Sequence, residues 1–400
     1  MGHPEENRGD WDAVIIGAGA SGLMCALSAG ERKRRVLIID HQTKPGEKIR
    51  ISGGGRCNFT NTHCGPERYI SHNPKFCISA LKTFTPGNFI TLLKENGIRF
   101  HEKKSGQLFC DGSARQIVDL LLDKCRFHGV RFQLGSCVRR VEKTAQGFLI
   151  ETDQGKFSSR ALVVATGGKS FPKLGASGWG YALARQFGLT VCPPSPALVP
   201  LTLEANLLSQ LSSLAGISLE VTVRSQSAQF SDAMLFTHRG LSGPAILQLS
   251  SYWKSGEGIS INLLPEIDLF ARIMAIKSGG AKQTLQSTLG ALLPKRLVQL
   301  VLEEQQMSNK NLQELSKADL TRLTKRIQDW SIKPSSTEGY RTAEVTLGGV
   351  DTRQLNSKNL ACKSVPGLYF IGEVVDVTGQ LGGYNLQWAW SSGWLAGQNL

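Results

Sequence analysis

The sequence predicts an α/β protein whose parallel-sheet domain is divided along the chain by an inserted region. Three observations predict it. Residues 12–22 read as a buried strand that runs into a glycine turn and a helix. Residues 368–397 repeat a strand, a glycine turn and a helix at the far end of the chain. Between them the texture changes, near Cys192 to short β-like runs, then to helical periodicity, and near Ala343 back again.

The N-terminal turn is Gly17-Ala18-Gly19-Ala20-Ser21-Gly22, preceded by the apolar run 13–16 and followed by a helical stretch at 23–29. A second apolar run, 36–39, ends in Asp40, about 20 residues beyond the turn. Strand, glycine turn, helix, strand and acid together make a dinucleotide-binding βαβ unit. Gly17 permits the tight turn, Gly19 lets the backbone approach a pyrophosphate, and Gly22 lets the helix close on the strand. The pyrophosphate then lies at Ala20 and Ser21, where a helix N-terminus offers free N–H groups and a favourable dipole. Asp40 stands at the right distance to accept hydrogen bonds from the adenosine ribose. The motif alone does not separate NAD from FAD.

Composition narrows the class. A chain of 400 residues suggests two or three domains. Its 41% hydrophobic and 20% charged residues are ordinary for a soluble globular protein. No stretch approaches the roughly 18 apolar residues of a membrane span. Residues 1–10 lack the apolar core of a signal peptide and the Ser or Thr of a myristoylation signal. A cytoplasmic protein with no membrane partner is expected. The nine cysteines are scattered and never spaced Cys-x-x-Cys, so neither a disulfide framework nor a metal site is expected. The net charge of +14 is spread thinly, with its densest run at residues 31–35. That run suits a helix C-terminus, so a solvated basic face is the first reading, and nucleic acid remains open as a partner.

Organisation follows from periodicity. Residues 113–128 form an amphipathic helix with Gly129 as its stop, and strands follow at 130–134, 136–141, 148–152 and 161–165. Residues 192–196, Cys-Pro-Pro-Ser-Pro, read as a stiff connector. A small β domain is expected at 193–264, with runs at 219–223 and 258–263, and a helical domain at 265–342. Ser316 opens a capping box, and Leu320, Leu323, Ile327 and Trp330 follow at helical spacing. The nucleotide-binding domain then comprises 1–192 and 343–400.

The C-terminal segment carries Gly372-Glu373 after a strand, then Asp376, then Gly382-Gly383 opening a helix at Tyr384, Asn385 and Leu386. A plain NAD domain needs one such helix N-terminus, whereas the longer FAD needs a further surface. The arrangement resembles the glutathione-reductase-type FAD fold, with Ala165-Thr166-Gly167 matching its middle strand and Gly372 and Asp376 its flavin-side turn. The runs Pro45-Gly46, 51–58 (Ile-Ser-Gly-Gly-Gly-Arg-Cys-Asn), 236–244 and 382–387 make the resemblance more specific. Together they are similar to the BaiN/RdsA (YhiN-like) family of NAD(P)/FAD-dependent oxidoreductases, over essentially the whole chain. The resemblance implies a Rossmann-like FAD domain carrying an inserted β-barrel-like domain and a small helical domain. Two departures stand out: Asp40 replaces a common Glu, and Lys169 replaces a usually uncharged residue.

Within that frame the expected cofactor contacts are Gly17, Gly19, Ala20, Ser21, Gly22, Asp40, Gly53, Gly54, Arg56, Cys57, Asn58, Val138, Thr166, Gly167, Gly372, Glu373, Asp376, Gly383, Tyr384, Asn385 and Leu386. Three successive glycines at 53–55 permit positive φ and form an anion nest, with Arg56 adding charge. Cys57 invites a redox role, but its nearest partner is Cys64, and a packed or site-lining thiol is the stronger reading. Tyr384, Asn385 and Gln387 sit at the first turn of the last helix, whose N-terminus can stabilise negative charge on a reduced flavin. His238 and Tyr384 are the candidate catalytic groups. Neither is required, because hydride transfer needs chiefly an aligned flavin N5 and substrate. The leading expectation is an FAD-dependent oxidoreductase acting on a small organic substrate. NADH, NADPH or oxygen serves as the redox partner; no second βαβ unit is visible, so a nicotinamide donor binds transiently. An RNA-modifying flavoprotein using the basic surface, and a flavin-binding redox sensor without turnover, are the alternatives. The oligomeric state is open.

Overall fold

The computed structural model describes residues 11–280 and 283–400. The reading of residues 1–10 as lacking a targeting signal lies outside the described residues. The chain divides into two compact units. One runs to Pro196 and resumes at Val345–Leu400; the other is Ala197–Glu344. Among the described residues no helix is long and apolar enough to cross a membrane.

The first unit is built on a seven-stranded sheet. Its strands are β1 (Trp11–Ile16), β2 (Val36–Asp40), β3 (Arg131–Leu134), β4 (Val138–Lys143), β5 (Phe148–Thr152), β6 (Gly155–Val164) and β7 (Leu368–Phe370). The order is β3-β2-β1-β6-β5-β4, with β7 also paired to β6. The β3, β2, β1, β6 and β7 pairings are parallel. Residues 13–16 and 36–39 are buried throughout, as expected for parallel strands covered on both faces. Strand β6 is long enough for two jobs: its first half pairs antiparallel with β5 and its last residues pair with β7. That pairing joins the C-terminal segment to the N-terminal sheet.

Four helices matter for the site: α1 (Ala20–Glu31), α2 (Glu47–Gly55), α3 (Arg115–Phe127) and α4 (Tyr384–Gly397). Helix α4 packs closely on α1 through glycine. A Cβ on Gly393 would lie 2.4 Å from the Ser21 carbonyl oxygen, and one on Gly397 would lie 2.5 Å from that of Cys25. Contacts advance in the same direction along both helices, so they run parallel, and both N-termini point to the same side of the sheet.

The second unit holds another seven-stranded sheet, including Ser218–Arg224, Gln229–Phe236, Ile259–Asn262 and Trp330–Ile332. Four α-helices, Leu269–Ser278, Leu285–Gly290, Lys295–Glu304 and Lys317–Gln328, occupy the expected helical region. Ser316 and Asp319 form the capping box reciprocally.

Three expectations need correction. Residues 193–264 and 265–342 do not have separate cores, because strand and helix side chains from Leu201 to Ile332 share one apolar cluster. Trp330 leaves the helix and enters a strand paired with Ile259–Asn262; Arg326 covers its ring at 4.5 Å. The proline-rich residues 192–196 lead to the boundary between the two units, but as a paired strand and not as a free connector. They lie within a strand, Val191–Ala197, that pairs with Val345–Val350 in a two-stranded sheet, where a missing N–H costs little.

Candidate cofactor site

The glycine turn between β1 and α1 has the geometry its residue types demand. Gly17 has φ +113°, and a Cβ there would stand 2.4 Å from the Ala165 carbonyl oxygen. A Cβ on Gly22 would stand 1.9 Å from the Gly17 carbonyl oxygen, so only glycine closes this turn. Gly19 differs: a Cβ there meets nothing within 4 Å. Its lack of a side chain serves no packing purpose, which fits a surface reserved for a ligand. Ala20 and Ser21 form the first turn of α1 beside it.

Asp40 braces this loop. One carboxylate oxygen accepts the Ala18 N–H at 2.6 Å and the other accepts the Gln42 N–H at 2.8 Å. Oδ1 also lies 3.3 Å from His41 Nδ1, whereas Oδ2, with one donor, retains a lone pair for another. Val138 opens β4 just after Ser136, whose N–H donates to the Asp40 carbonyl at 2.9 Å, and is half-buried against the core.

The second glycine loop is kinked out of α2. Ser52 leaves helical geometry, and Gly53, Gly54 and Gly55 have φ of +57°, +66° and +83°. Gly54 faces open space, and Arg56 is exposed. Cys57 points the other way: it is fully buried, and burial pushes its thiol up to about 12. A thiol that stays protonated is a poor nucleophile, so the packed reading holds. In the amide orientation that satisfies its neighbours, Asn58 accepts the Gly383 N–H at 3.3 Å and donates to the Thr60 carbonyl. The loop is thereby tied to the N-terminus of α4.

The C-terminal residues converge on the same region. Gly372 has φ +70°, and a Cβ there would lie 2.4 Å from Ser21 Oγ. Its N–H donates to Ser392 Oγ at 3.0 Å, and its carbonyl accepts Trp388 Nε1–H at 3.0 Å. Glu373 accepts from Lys48 Nζ at 3.0 Å and from the Thr346 N–H at 2.9 Å. A Cβ on Gly167, which has φ +71°, would lie 3.7 Å from that carboxylate. Thr166 Oγ1 is buried with no hydrogen-bond partner. A Cβ on Gly180 would stand 2.3 Å from that hydroxyl, so it lies in the packing against Trp179–Gln186; the bare surface open to a polar ligand is the one at Gly19.

Other expected residues are occupied structurally. The Asp376 side chain is only 1% exposed and accepts both the backbone N–H and Nδ1 of His72 at 2.9 Å. Tyr384 is buried, its ring edge-on to Tyr69, and its carbonyl accepts the Tyr69 hydroxyl at 2.9 Å. Burial raises the Tyr384 phenol, which therefore stays protonated. Asn385 holds the preceding turn by bonding both the N–H and the carbonyl of Gly379 at 2.8 Å. Leu386 is half-buried against the core. Gln387, which the first-turn position of α4 suggested for the flavin, is fully buried and bonds Thr60, Phe84 and Ser391. His238 is exposed in the turn between Gln229–Phe236 and Gly240–Ser242 of the other unit.

Lys48 and Thr346 were missed, because no spacing rule marks a lone Lys or Thr that grips an acid elsewhere. Gly393 and Gly397 carried a usable signal: two glycines four apart lie on one helix face.

A profile described as "HI0933-like protein Rossmann domain" matches residues 11–399. The chain belongs to the HI0933-like family. It is 51% identical over 391 residues to the ribosomal RNA dihydrouridine synthase of Escherichia coli, covering 98% of each chain. It is 46% identical to the Haemophilus influenzae protein of the same name, covering 95% of this chain and 96% of that one. It is 32% identical to a 3-dehydro-bile acid Δ(4,6)-reductase of Clostridium scindens, over 96% of this chain and 97% of that one. The family is one of Rossmann-type FAD-binding oxidoreductases, as the sequence resemblance implied. In this HI0933-like chain the residues expected at the cofactor come from both ends, Gly17–Gly22 and Asp40 from one and Gly372 and Glu373 from the other, and the two ends meet where Gly372 abuts Ser21.

Proposed function

We propose that this protein is an FAD-dependent oxidoreductase that reduces uridine in ribosomal RNA to dihydrouridine. The observation that carries the reading is the 51% identity, over 98% of both chains, to a ribosomal RNA dihydrouridine synthase. From the sequence alone a small organic substrate ranked first and RNA second. Full-length likeness to two proteins of that name supports RNA over the small organic substrate.

The reaction adds a hydride to one carbon of the uracil C5–C6 double bond and a proton to the other. FAD, when bound, supplies a hydride carrier at N5. The chain's residues bind and orient. The N–H groups at Ala20 and Ser21 favour the pyrophosphate. Asp40 accepts from the ribose through the remaining lone pair of Oδ2. The loop 53–55 and Arg56 add an anion nest. The N-terminus of α4 would offer a positive dipole end to negative charge on a reduced flavin. NADH or NADPH is the proposed reductant and binds transiently.

The test uses purified holoprotein, ribosomal RNA from cells lacking the gene, and each nicotinamide nucleotide in turn, without oxygen. Nucleoside mass spectrometry is expected to find dihydrouridine, a uridine that has gained two hydrogens. A reduced flavin that the RNA never reoxidises, with nucleosides unchanged, would sink the RNA reading.

A further inference from the structure

The run Glu31-Arg32-Lys33-Arg34-Arg35 is the densest basic segment of the chain, and the flavin site leaves it unused. It directly follows α1. The end of α3 lies beside it. A Cβ on Gly30 would stand 3.0 Å from the His128 Cβ, and His128 and Lys124 act electrostatically on Glu31. Arg35 precedes β2, and Arg131 opens β3, which pairs with β2 at Leu37. Arg32, Lys33, Arg35, Arg126 and Arg131, all exposed, therefore gather at one edge of the Rossmann sheet; Arg32 also donates to the Gly397 and Leu400 carbonyls, and Arg35 lies over the Trp11 ring. The acids there are fewer: Glu31, Asp12 and Asp123, the last paired with Arg126 at 3.2 Å.

Phe127 ends α3 in the middle of these cations and is 85% exposed. Among the described residues it is the most exposed large hydrophobic side chain. Its ring is edge-on to His128, with centroids 5.1 Å apart. Helix C-terminal dipoles account for cations at this edge. They do not account for an aromatic ring held in water. The inserted unit is close to charge-neutral by residue count, so nearly all of the +14 falls on the unit that carries this edge.

We infer that this edge is an RNA-docking surface, its cations binding phosphates and Phe127 stacking on an unpaired base. The inference rests on the ribosomal RNA reading above and adds the place of contact. Charge complementarity selects a polyanion, and an aromatic ring among cations is the arrangement that holds single-stranded nucleic acid. The edge lies at the N-terminal ends of the parallel strands, away from the glycine turns at their carboxyl ends. A substrate as large as ribosomal RNA can reach both.

The test measures anisotropy of a labelled, mixed-sequence single-stranded RNA of about 15 nucleotides with holoprotein at several salt concentrations. Phe127→Ala is expected to weaken binding about tenfold with the salt slope unchanged. The double variant Lys33→Asn, Arg131→Gln is expected to lower the slope by about two; Asn tolerates the left-handed backbone of residue 33. FAD content and flavin reduction should stay at wild-type values in both, which excludes misfolding. If the wild type binds this RNA and both variants bind equally well, the edge is not the docking surface, and the ribosomal RNA reading survives. If the wild type binds no RNA even at low salt, the reading beneath it fails as well. If the variants lose only binding to phosphatidylglycerol vesicles, the edge belongs to a lipid surface and the inference is overturned.

Discussion

The two glycine-rich turns of the cofactor cradle are built on opposite plans. The first, Gly17–Gly22, is held by itself and by the adjoining end of β6: Gly22 abuts Gly17, and Gly17 abuts Ala165. The second is held by residues hundreds of positions away. Gly372 abuts Ser21, and Gly383 abuts the Thr60 carbonyl, where a Cβ would lie 2.5 Å away. A turn closed by a contact inside its own motif, as Gly22 closes on Gly17, announces its role in its own spacing, even though the distant Ala165 completes it. A turn whose partners are distant acquires its role only when the chain has folded.

The largest effect should come from the local turn. Gly22→Val places a side chain into the Gly17 carbonyl, where backbone has nowhere to move. It should cost about 4 kcal/mol or more in urea unfolding of the FAD-free protein. Retained stability would mean that the turn is not as tight as described. Gly372→Ala tests the distant turn. It should cost about 2 kcal/mol through strain and the clash with Ser21 Oγ. Ser21→Gly should relieve part of that, with a double-mutant coupling of about 1 kcal/mol; strictly additive effects would separate the two ends of the chain.

Gln387→Leu sharpens the division between cradle and scaffold. It leaves the Thr60 hydroxyl without its acceptor and the Phe84 carbonyl with the Ser391 hydroxyl as its remaining side-chain donor, and should cost about 2 kcal/mol. The bound flavin spectrum should not shift, because Gln387 is buried in the packing between α4 and the strand Asn58–Asn61. A spectral shift would return it to the flavin. Cys57→Ala should cost about 1 kcal/mol and leave flavin reduction intact. In the native wild type the Cys57 thiol, at about 12, should resist alkylation near neutral pH; rapid modification there would restore the redox reading.

The smallest effect concerns acid. A hydrogen bond from Arg353 holds the Asp351 carboxyl below its ordinary 3.8. A depressed carboxyl contributes stability above its unfolded value, and that contribution is lost as pH falls through the folded value. Asp351→Asn should therefore flatten the stability curve below about pH 4 while changing little of its shape at pH 7. An unchanged acid limb would remove Asp351 from the account.

Legibility follows the same division. The strands β1 and β2, the glycine turn, Asp40 and the helix α4 were readable, because buried parallel strands and glycine turns leave local patterns. The strand at Trp330–Ile332 was not. Trp330 fits both the helical spacing and a strand, and only pairing with Ile259–Asn262 decides between them. The same long-range pairing merges the β and helical regions into one core, which no local composition shift reveals. At the site, Lys48 and Thr346 carry no pattern at all, and Gln387 was misplaced because helix position was read without knowing which face is buried.

The central claim is that both ends of the chain make one FAD site, with Gly19 kept bare for the cofactor rather than for packing. Titration of FAD into the apoprotein, for wild type and Gly19→Val, tests it most directly. The account predicts one FAD per wild-type chain, binding weakened at least about tenfold in Gly19→Val, and an apoprotein melting temperature unchanged by the substitution. A wild-type protein that takes up no FAD, or a Gly19→Val protein that binds it as tightly as wild type, would contradict the account.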